Sequence, residues 1–588
     1  MTALTLRQQI AQKLMLDLRF YQASANTADA QPVTQLHPDL ATLLSETDLG
    51  GIILFAENCQ NVEQLRQLTE QLQNAAQRST SGLPLLISID QEGGRVMRTP
   101  RAETTSFSGN MAIGASAAEH GDYFARLSAT VLAQELALLG INCNHAPVVD
   151  VNSNPQNPVI NVRAFSEQPD LVATLGLAQV QAFEQNNIFS TLKHFPGHGD
   201  SASDSHTGLP RVEHARDRIE RVELAPFKAI IQQHSPAMIM TAHIQYPALD
   251  NSLIHTRQGG AIIPPATMSR AIIDGCLRQQ LGYQGVVISD AMDMAAIAAH
   301  FDEAEAVILA FAAGIDIALM PIKIRTADDL PKLSRLIDAV TDAIEQGRLD
   351  PTELAQSAQR IGALKQRLPA AVPATTGPPL SALLASPQHR RWEQQLALAA
   401  ITPLHGQPID LPSQTTVAIV MPDLAKAHAL GQALQQRRAL HYLPLSLHQA
   451  DLLALQQAIA PVDCVIGGFI SPRQSAAEFG GIEDLTHLDE TRLIREHRPQ
   501  DLMALLAYAK KQQIPTIFIS LRTPYEIQQF GQYADWALAS YSYHFDHQAP
   551  LQQQYQGSAY DALAQVLLQQ AVALGQAPVT LIRAEAAL

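Results

Sequence analysis

The chain has 588 residues, 46% of them hydrophobic, and a formal net charge of −16. That length predicts two or three domains, and the apolar fraction excludes global disorder. The acidic balance, with no dense Lys/Arg stripe, argues against a nucleic-acid partner.

The N-terminus, Met-Thr-Ala-Leu-Thr-Leu-Arg-Gln-Gln-Ile, places Arg and Gln where a signal peptide needs an apolar core. No uncharged apolar run reaches the length of a membrane span. Cys59, Cys143, Cys276 and Cys464 lie far apart and form no Cys-x-x-Cys pair. They read as buried free thiols, which suits a reducing compartment and predicts a cytoplasmic protein.

Short apolar runs recur through the first 320 residues: Leu14–Leu18, Gly51–Phe55, Pro84–Ile89, Ala146–Val151, Ile188–Leu192, Ala237–Ala242, Val286–Ser289 and Ile315–Met320. Their Val/Ile/Leu content fits strands covered on both faces. Amphipathic helical patterns lie between them. One spans Val62 to Ala75, with Leu65, Leu68 and Leu72 on one stripe, and another Leu127 to Leu139. Eight strands alternating with helices predict a (β/α)8 TIM-type barrel. The alternative is a doubly wound open sheet, against which no Gly-x-Gly-x-x-Gly opens the chain.

A Pro/Thr/Gly-rich stretch at 368–379 reads as a linker. The expected division is a barrel over 1–367, a linker over 368–384 and a smaller α/β layered domain, an αβα sandwich, over 385–588. Its expected strands are Thr416–Met421, Val462–Phe469, Thr516–Leu521 and Trp536–Ser540. Its expected helices include Ala425–Gln436, Leu502–Gln512 and Ala559–Ala573.

Four barrel strand ends carry polar clusters, and in a barrel these share one rim. Asp90 stops an apolar strand just before Gly93-Gly94. A carboxylate there can accept from two sugar hydroxyls, or it is merely a turn former or helix N-cap. The second cluster, Asn161-Val162-Arg163, follows the Ala146–Val151 run. Asp290 ends the Val286–Ser289 run and suits a nucleophile, a general base or a metal ligand. Its plainer reading is a cap for a helix from Met292 onward, a role that Asp293 fits better.

The fourth cluster runs from Lys193 to Pro210 and holds three His, two Asp and a Lys among Pro and Gly. Such a run is expected in a loop, not in an interior strand. His194, His198, Asp200, Asp204 and His206 together suit a zinc or iron site. A loop held by His hydrogen bonds is a second reading. The third is Asp204-x-His206 as a proton-transfer dyad, the carboxylate fixing the imidazole tautomer. Paired with a distant Asp290 it supplies the two functions that hydrolysis of a glycoside with retention needs.

Lys-His-Phe-Pro-Gly-His-Gly-Asp with Asp204-Ser205-His206, and Asp90-Gln91-Glu92-Gly93-Gly94-Arg95-Val96-Met97-Arg98, resemble the signatures of bacterial β-N-acetylglucosaminidases of glycoside hydrolase family 3. Pro265-Ala266-Thr267-Met268-Ser269 and Gly285 to Asp290 are similar to that family's approach to its nucleophile. The resemblance spans roughly Leu14 to Ile322. It implies a barrel, a retaining mechanism, and no metal or other cofactor. It implies that Asp290 is the nucleophile, His206 the general acid/base and Asp204 its partner. Asp90, Arg98, Arg163, Lys193 and His194 are then the groups that bind a non-reducing N-acetylglucosamine.

Ala164 and Ala291 depart from the family's usual Ser and polar residue. The expected partner is a small carbohydrate, either muropeptide fragments or chito-oligosaccharides. The expected activity is that of an exo-acting β-N-acetylglucosaminidase. The alternatives are a phosphorylase of the same family and a non-catalytic amino-sugar-binding protein. The second domain resembles that of the longer members, and short members without it are active, so catalysis is expected not to depend on it.

Overall fold

The computed structural model describes residues 4–24, 30–201, 208–369, 379–471, 498–549 and 554–581. Eight parallel strands form the first sheet: β1 (Leu14–Asp17), β2 (Gly51–Leu54), β3 (Leu86–Ile89), β4 (Cys143–Asn144), β5 (Phe189–Phe195), β6 (Met238–Thr241), β7 (Val286–Ser289) and β8 (Ala318–Leu319). Each of β1 to β6 pairs with the next, β8 pairs with β1, and a parallel bridge between Ile288 and Ile317 links the two ends, β7 and β8. The expected (β/α)8 barrel is therefore present.

Side chains alternate along the strands as the pleat requires. Met15, Ile53, Leu86, Met238, Met240 and Ile288 fill the interior with Ile361 and Leu364 of the helix Pro351–Gln366. Leu14, Leu16, Ile52, Ile87, Ile239 and Val287 point outward into the helical layer. The helix Val62–Ala76 shows why the pattern was readable. Asn61 caps it by accepting from the Gln64 amide, and Leu65, Leu68 and Leu72 are each at most 1% exposed. Each such leucine contributes about 2 kcal/mol by burial.

Two strands differ from expectation. The fourth is Cys143–Asn144, upstream of the Ala146–Val151 run. That run contains Pro147, which has no N–H to give a ladder, and it meets β5 through separate contacts such as Val149 N to the Lys193 carbonyl, 2.8 Å. The fifth extends beyond Leu192 to Phe195, so Lys193 and His194 stand on a buried strand and not in a loop. Paired carboxylates offset the cost of burying their charges, as described below.

The second sheet contains β9 (Thr402–Gly406), β10 (Thr416–Met421), β11 (His441–Ser446), β12 (Cys464–Phe469), β13 (Thr516–Ser520) and β14 (Trp536–Ala539) in the order β9-β14-β13-β12-β10-β11. Only β9 is antiparallel to its neighbour. The four expected strands are all there. β11 escaped the sequence reading because Pro444 interrupts it, and an edge strand tolerates that. The helices Leu424–Gln435 and Pro499–Lys511 match expectation, whereas Ser558–Leu567 stops short of Ala573, with Gln569 in a left-handed conformation just beyond it.

The helix Pro387–Ala400 leads into β9 and packs against both Asn110–His120 of the barrel and Ser558–Leu567. An apolar cluster joins Met111, Ala112 and Val162 of the barrel to Ala400, Ala539, Tyr541 and Val579. All four cysteines are unpaired and buried. Among the described residues no helix is long and apolar enough to cross a membrane.

Candidate active site

The rim at the carboxyl ends of the barrel strands collects most of the residues singled out from the sequence. Asp90 follows β3 directly. It caps no helix: the loop after it turns back through a Gly93–Val96 bridge, and Asp90 Oδ1 accepts from Lys193 Nζ at 2.7 Å. Lys193 Nζ also lies 2.7 Å from Glu92 Oε1. Arg163 grips Glu92 with two parallel bonds, Nε to Oε2 at 2.9 Å and Nη2 to Oε1 at 2.7 Å. The result is one continuous ionic chain, Asp90, Lys193, Glu92, Arg163, with the last three almost fully buried.

The loop that carries this chain is held by ordinary polar contacts. Gln91 N donates to Asn144 Oδ1 at 3.0 Å, Asn144 Nδ2 returns a bond to the Gln91 carbonyl, and Gln91 Oε1 accepts from Arg98 N at 2.9 Å. Gly94 (φ +60°) lies so close to Gly109 that an added Cβ would meet the Gly109 Cα at 3.0 Å. The Arg98 guanidinium is buried beside the Phe55 ring, 5.9 Å from its centroid.

Charge follows from this pairing. Burial pushes the Asp90 carboxyl up, but Lys193, His145 and Arg98 outweigh it and hold the group well below the carboxylate range. Burial opposes ionisation of Glu92 too, and Arg163 and Lys193 bring it down to about 2. Burial lowers Lys193, while Asp90 and Glu92 raise it further, so it stays protonated.

His194 points into a second buried pair. Its Nδ1 lies 2.7 Å from Asp150 Oδ2, and its backbone N donates to Asp150 Oδ1 at 3.1 Å. Asp150 Oδ1 also accepts from His198 N at 2.7 Å. His198 shapes the loop start: Nδ1 contacts Ser201 Oγ at 2.8 Å and its carbonyl accepts from Asn157 Nδ2. Asp200 accepts from Ser153 Oγ and pairs with His214 at 2.7 Å. Asp204 and His206 lie outside the described residues.

Asp290 sits at the end of β7. Its backbone N donates to the Thr241 carbonyl at 3.1 Å, and its Oδ1 accepts from Ala291 N at 2.7 Å. Asp293 does not cap the short helix Ala295–Ala298, whose cap residue is Met294; it pairs with Lys323 at 3.1 Å instead. A buried lattice fixes the Asp290 turn from behind. His243 Nε2 donates to the Ala291 carbonyl at 3.0 Å, and its Nδ1 meets Thr267 Oγ1 at 2.8 Å. A carbonyl can only accept, so His243 carries a proton on Nε2.

His145 connects the two halves of the rim. It is buried in the barrel between Ser88 Oγ (3.0 Å) and Thr191 Oγ1 (3.3 Å). Burial lowers it to about 4, while Asp90 and Asp290 both pull upward, so both carboxylates act on the same interior imidazole. Sequence reading missed Glu92, Asp150, His145 and His243. Glu92 stood two residues past Asp90 in the quoted motif, and Thr241-Ala242-His243 is a further strand end with polar residues. Asp150 hid inside an apolar run.

Chemically, the rim offers an ionised acceptor (Asp90), fixed cationic donors (Lys193, Arg163, Arg98), an oriented imidazole (His194) and a carboxylate on a braced turn (Asp290). Comparison with known proteins gives the family. The model of the glycosyl hydrolase family 3 N-terminal domain matches residues 5–364. A protein named beta-hexosaminidase A, from Pseudoalteromonas piscicida, is 48% identical over 585 residues, 98% of this chain and 97% of that one. A beta-hexosaminidase from Alkalilimnicola ehrlichii is 37% identical over 293 residues, 49% of this chain and 78% of that one. The structure of a family 3 β-N-acetylglucosaminidase from Paenibacillus sp. str. FPU-7 superposes with a TM-score of 0.79 at 31% identity, over 98% of this chain and 99% of that one. With the barrel, the ionic chain and the Asp290 turn all encoded inside the matched span, this chain belongs to glycosyl hydrolase family 3.

Proposed function

We propose that this glycoside hydrolase is a retaining, exo-acting β-N-acetylglucosaminidase that works through a covalent glycosyl-enzyme. The observation that carries the reading is the Asp90–Lys193–Glu92–Arg163 chain beside the Asp290 turn, in a protein 48% identical to one named beta-hexosaminidase A. Asp290 attacks the anomeric carbon, and the glycosidic C–O bond breaks as His206 protonates the leaving oxygen. His206 then takes a proton from water, which displaces Asp290 and returns the β-configured sugar. Asp204 holds the imidazole tautomer.

The binding groups have complementary tasks in this reading. Asp90 stays ionised and accepts from sugar hydroxyls, while Arg98, Arg163, Lys193 and His194 donate to sugar oxygens. Glu92 and Asp150 never touch sugar; they keep Arg163, Lys193 and His194 aimed. The substrates are muropeptide fragments or chito-oligosaccharides with a terminal N-acetylglucosamine, and the buried free thiols suit a cytoplasmic enzyme. The catalytic unit is 1–367, joined by 368–384 to the domain 385–588.

The test is release of an aryl leaving group from its β-N-acetylglucosaminide, with NMR of the first product anomer. A mechanism-based fluoro-sugar should add its mass to the peptide bearing Asp290. Full activity in His206→Ala or Asp290→Ala, or first release of the α-anomer, would sink the reading. Appearance of sugar 1-phosphate only when phosphate is supplied would replace it with a phosphorylase.

A further inference from the structure

The carboxyl edge of the second sheet faces the barrel rim, and the contact falls behind the sugar-binding groups. Tyr525 lies in the tight turn Pro524–Glu526 that follows β13. Its hydroxyl accepts from Asn152 Nδ2 at 2.9 Å. Asn152 is fully buried and two residues beyond Asp150, the carboxylate that orients His194. Its backbone N donates to the Ser166 carbonyl at 3.0 Å, and Ser166 Oγ donates to the Pro578 carbonyl at 2.6 Å. On the opposite side Gly199 abuts the Val151 backbone so tightly that an added Cβ would lie 1.7 Å from its carbonyl oxygen. The segment 150–152 is thus clamped between the His198–Gly199 loop and the second domain.

The same edge backs Arg163. Val162 belongs to the apolar cluster with Ala539, Tyr541 and Val579. The gap between Glu92, Gly93, Gly94, Arg163, Tyr541 and Ser542 holds only ≈ 10 Å³, about one water molecule. Tyr541 reaches Arg163 through Val162, the neighbour of Arg163 in the chain, which shares the apolar cluster.

We propose that the second domain is a working part of the sugar-binding wall: Tyr525, through Asn152, is a positioning residue for Asp150 and His194, and Tyr541 braces Arg163. This rests on the reading of His194 and Arg163 as sugar-binding groups, and it runs against the expectation that catalysis does not depend on the second domain. Because those groups hold sugar before and during reaction alike, loosening them raises KM more than it lowers kcat.

The experiment compares Tyr525→Phe with the double variant Tyr525→Phe/Asn152→Leu in the full chain. The single variant strands the buried Asn152 amide; the double variant removes both partners and restores polar balance. Expected are a kcat/KM about tenfold down in both, mostly in KM, a parallel rise in the inhibition constant of N-acetylglucosamine, and a Tm that falls in the single variant and recovers in the double. Activity that recovers with Tm makes Tyr525 merely structural and overturns the inference, as does unchanged kcat/KM in either variant. Arg163→Ala and His194→Ala are the controls. If they leave N-acetylglucosamine inhibition unchanged, the sugar-binding reading fails and takes the inference with it. If they weaken it while the Tyr525 variants do not, the inference alone fails.

Discussion

Two buried carboxylates, one on each side of the domain contact, have opposite fates. Glu92 on the barrel rim and Glu526 at the carboxyl edge of the second sheet are 6% and 4% exposed. Burial pushes both upward, yet Glu92 is held down at about 2 and Glu526 is raised to about 8. The difference lies in the partners. Glu92 has a bidentate guanidinium and an ammonium in direct contact. Glu526 has the Ser520 hydroxyl and a weaker pull from the buried Arg522, which is not paired with it directly, and together these offset the burial penalty only in part. Burial alone therefore does not decide whether a carboxyl is a charged anchor or a neutral strut; cations in direct contact with it decide.

The sharpest test of the rim concerns the carboxylate with a job beyond pairing. Asp290→Asn should lower kcat by about ten-thousandfold. Because Asn Oδ1 can still accept from Ala291 N, thermal unfolding should stay close to wild type. A Tm loss as large as that of a core mutation would make Asp290 a structural residue like Glu526.

Glu92→Gln comes next. It strands the Arg163 guanidinium and leaves Lys193 with Asp90 alone, so denaturant unfolding should show a loss of about 3–5 kcal/mol. Asp90→Asn should cost distinctly less stability, because Asp90 is 19% exposed and its charge is partly solvated. Equal losses in the two would break the claim that Glu92 is the keystone of the chain.

How much of this was legible in the sequence depends on whether a signal was local. The barrel was readable because buried parallel strands are continuous apolar runs with periodic helices between them, as Val62–Ala76 shows. Asp90 and Asp290 were singled out because each ends an apolar run, and Arg98 and Arg163 because they stand in segments that the family resemblance covers. Lys193 and His194 were singled out too, but in the wrong local structure. Composition said loop, and only the partners Asp90, Glu92 and Asp150, between 44 and 103 positions away, make a buried strand tolerable there. Glu92 and Asp150 were illegible for the same reason, since their importance comes from what they touch. His243 had a weak local signal, but its hold on the Ala291 carbonyl spans 48 positions. The Tyr525–Asn152 contact spans 373 and left no trace in composition or periodicity.

The smallest effect is in pH, where the two carboxylates should tilt stability in opposite directions. Glu92 has a folded-state pKa below its usual 4.5, so between about 2 and 4.5 the unfolded chain binds more protons and stability rises with pH. Its contribution is complete above that window and lost as pH falls through it. Glu526 is raised, so between 4.5 and about 8 the folded chain holds the extra proton and stability falls as pH rises. Glu526→Gln removes only that second slope. Its Tm should match wild type near pH 4 and exceed it near pH 9, while the acid limb below pH 4.5 is unchanged. Glu92→Gln should flatten the acid limb and leave the alkaline one alone. If Glu526→Gln instead lowers Tm near pH 9, the carboxylate is paired when ionised, and the contrast between the two edges collapses into a single rule of buried ion pairs.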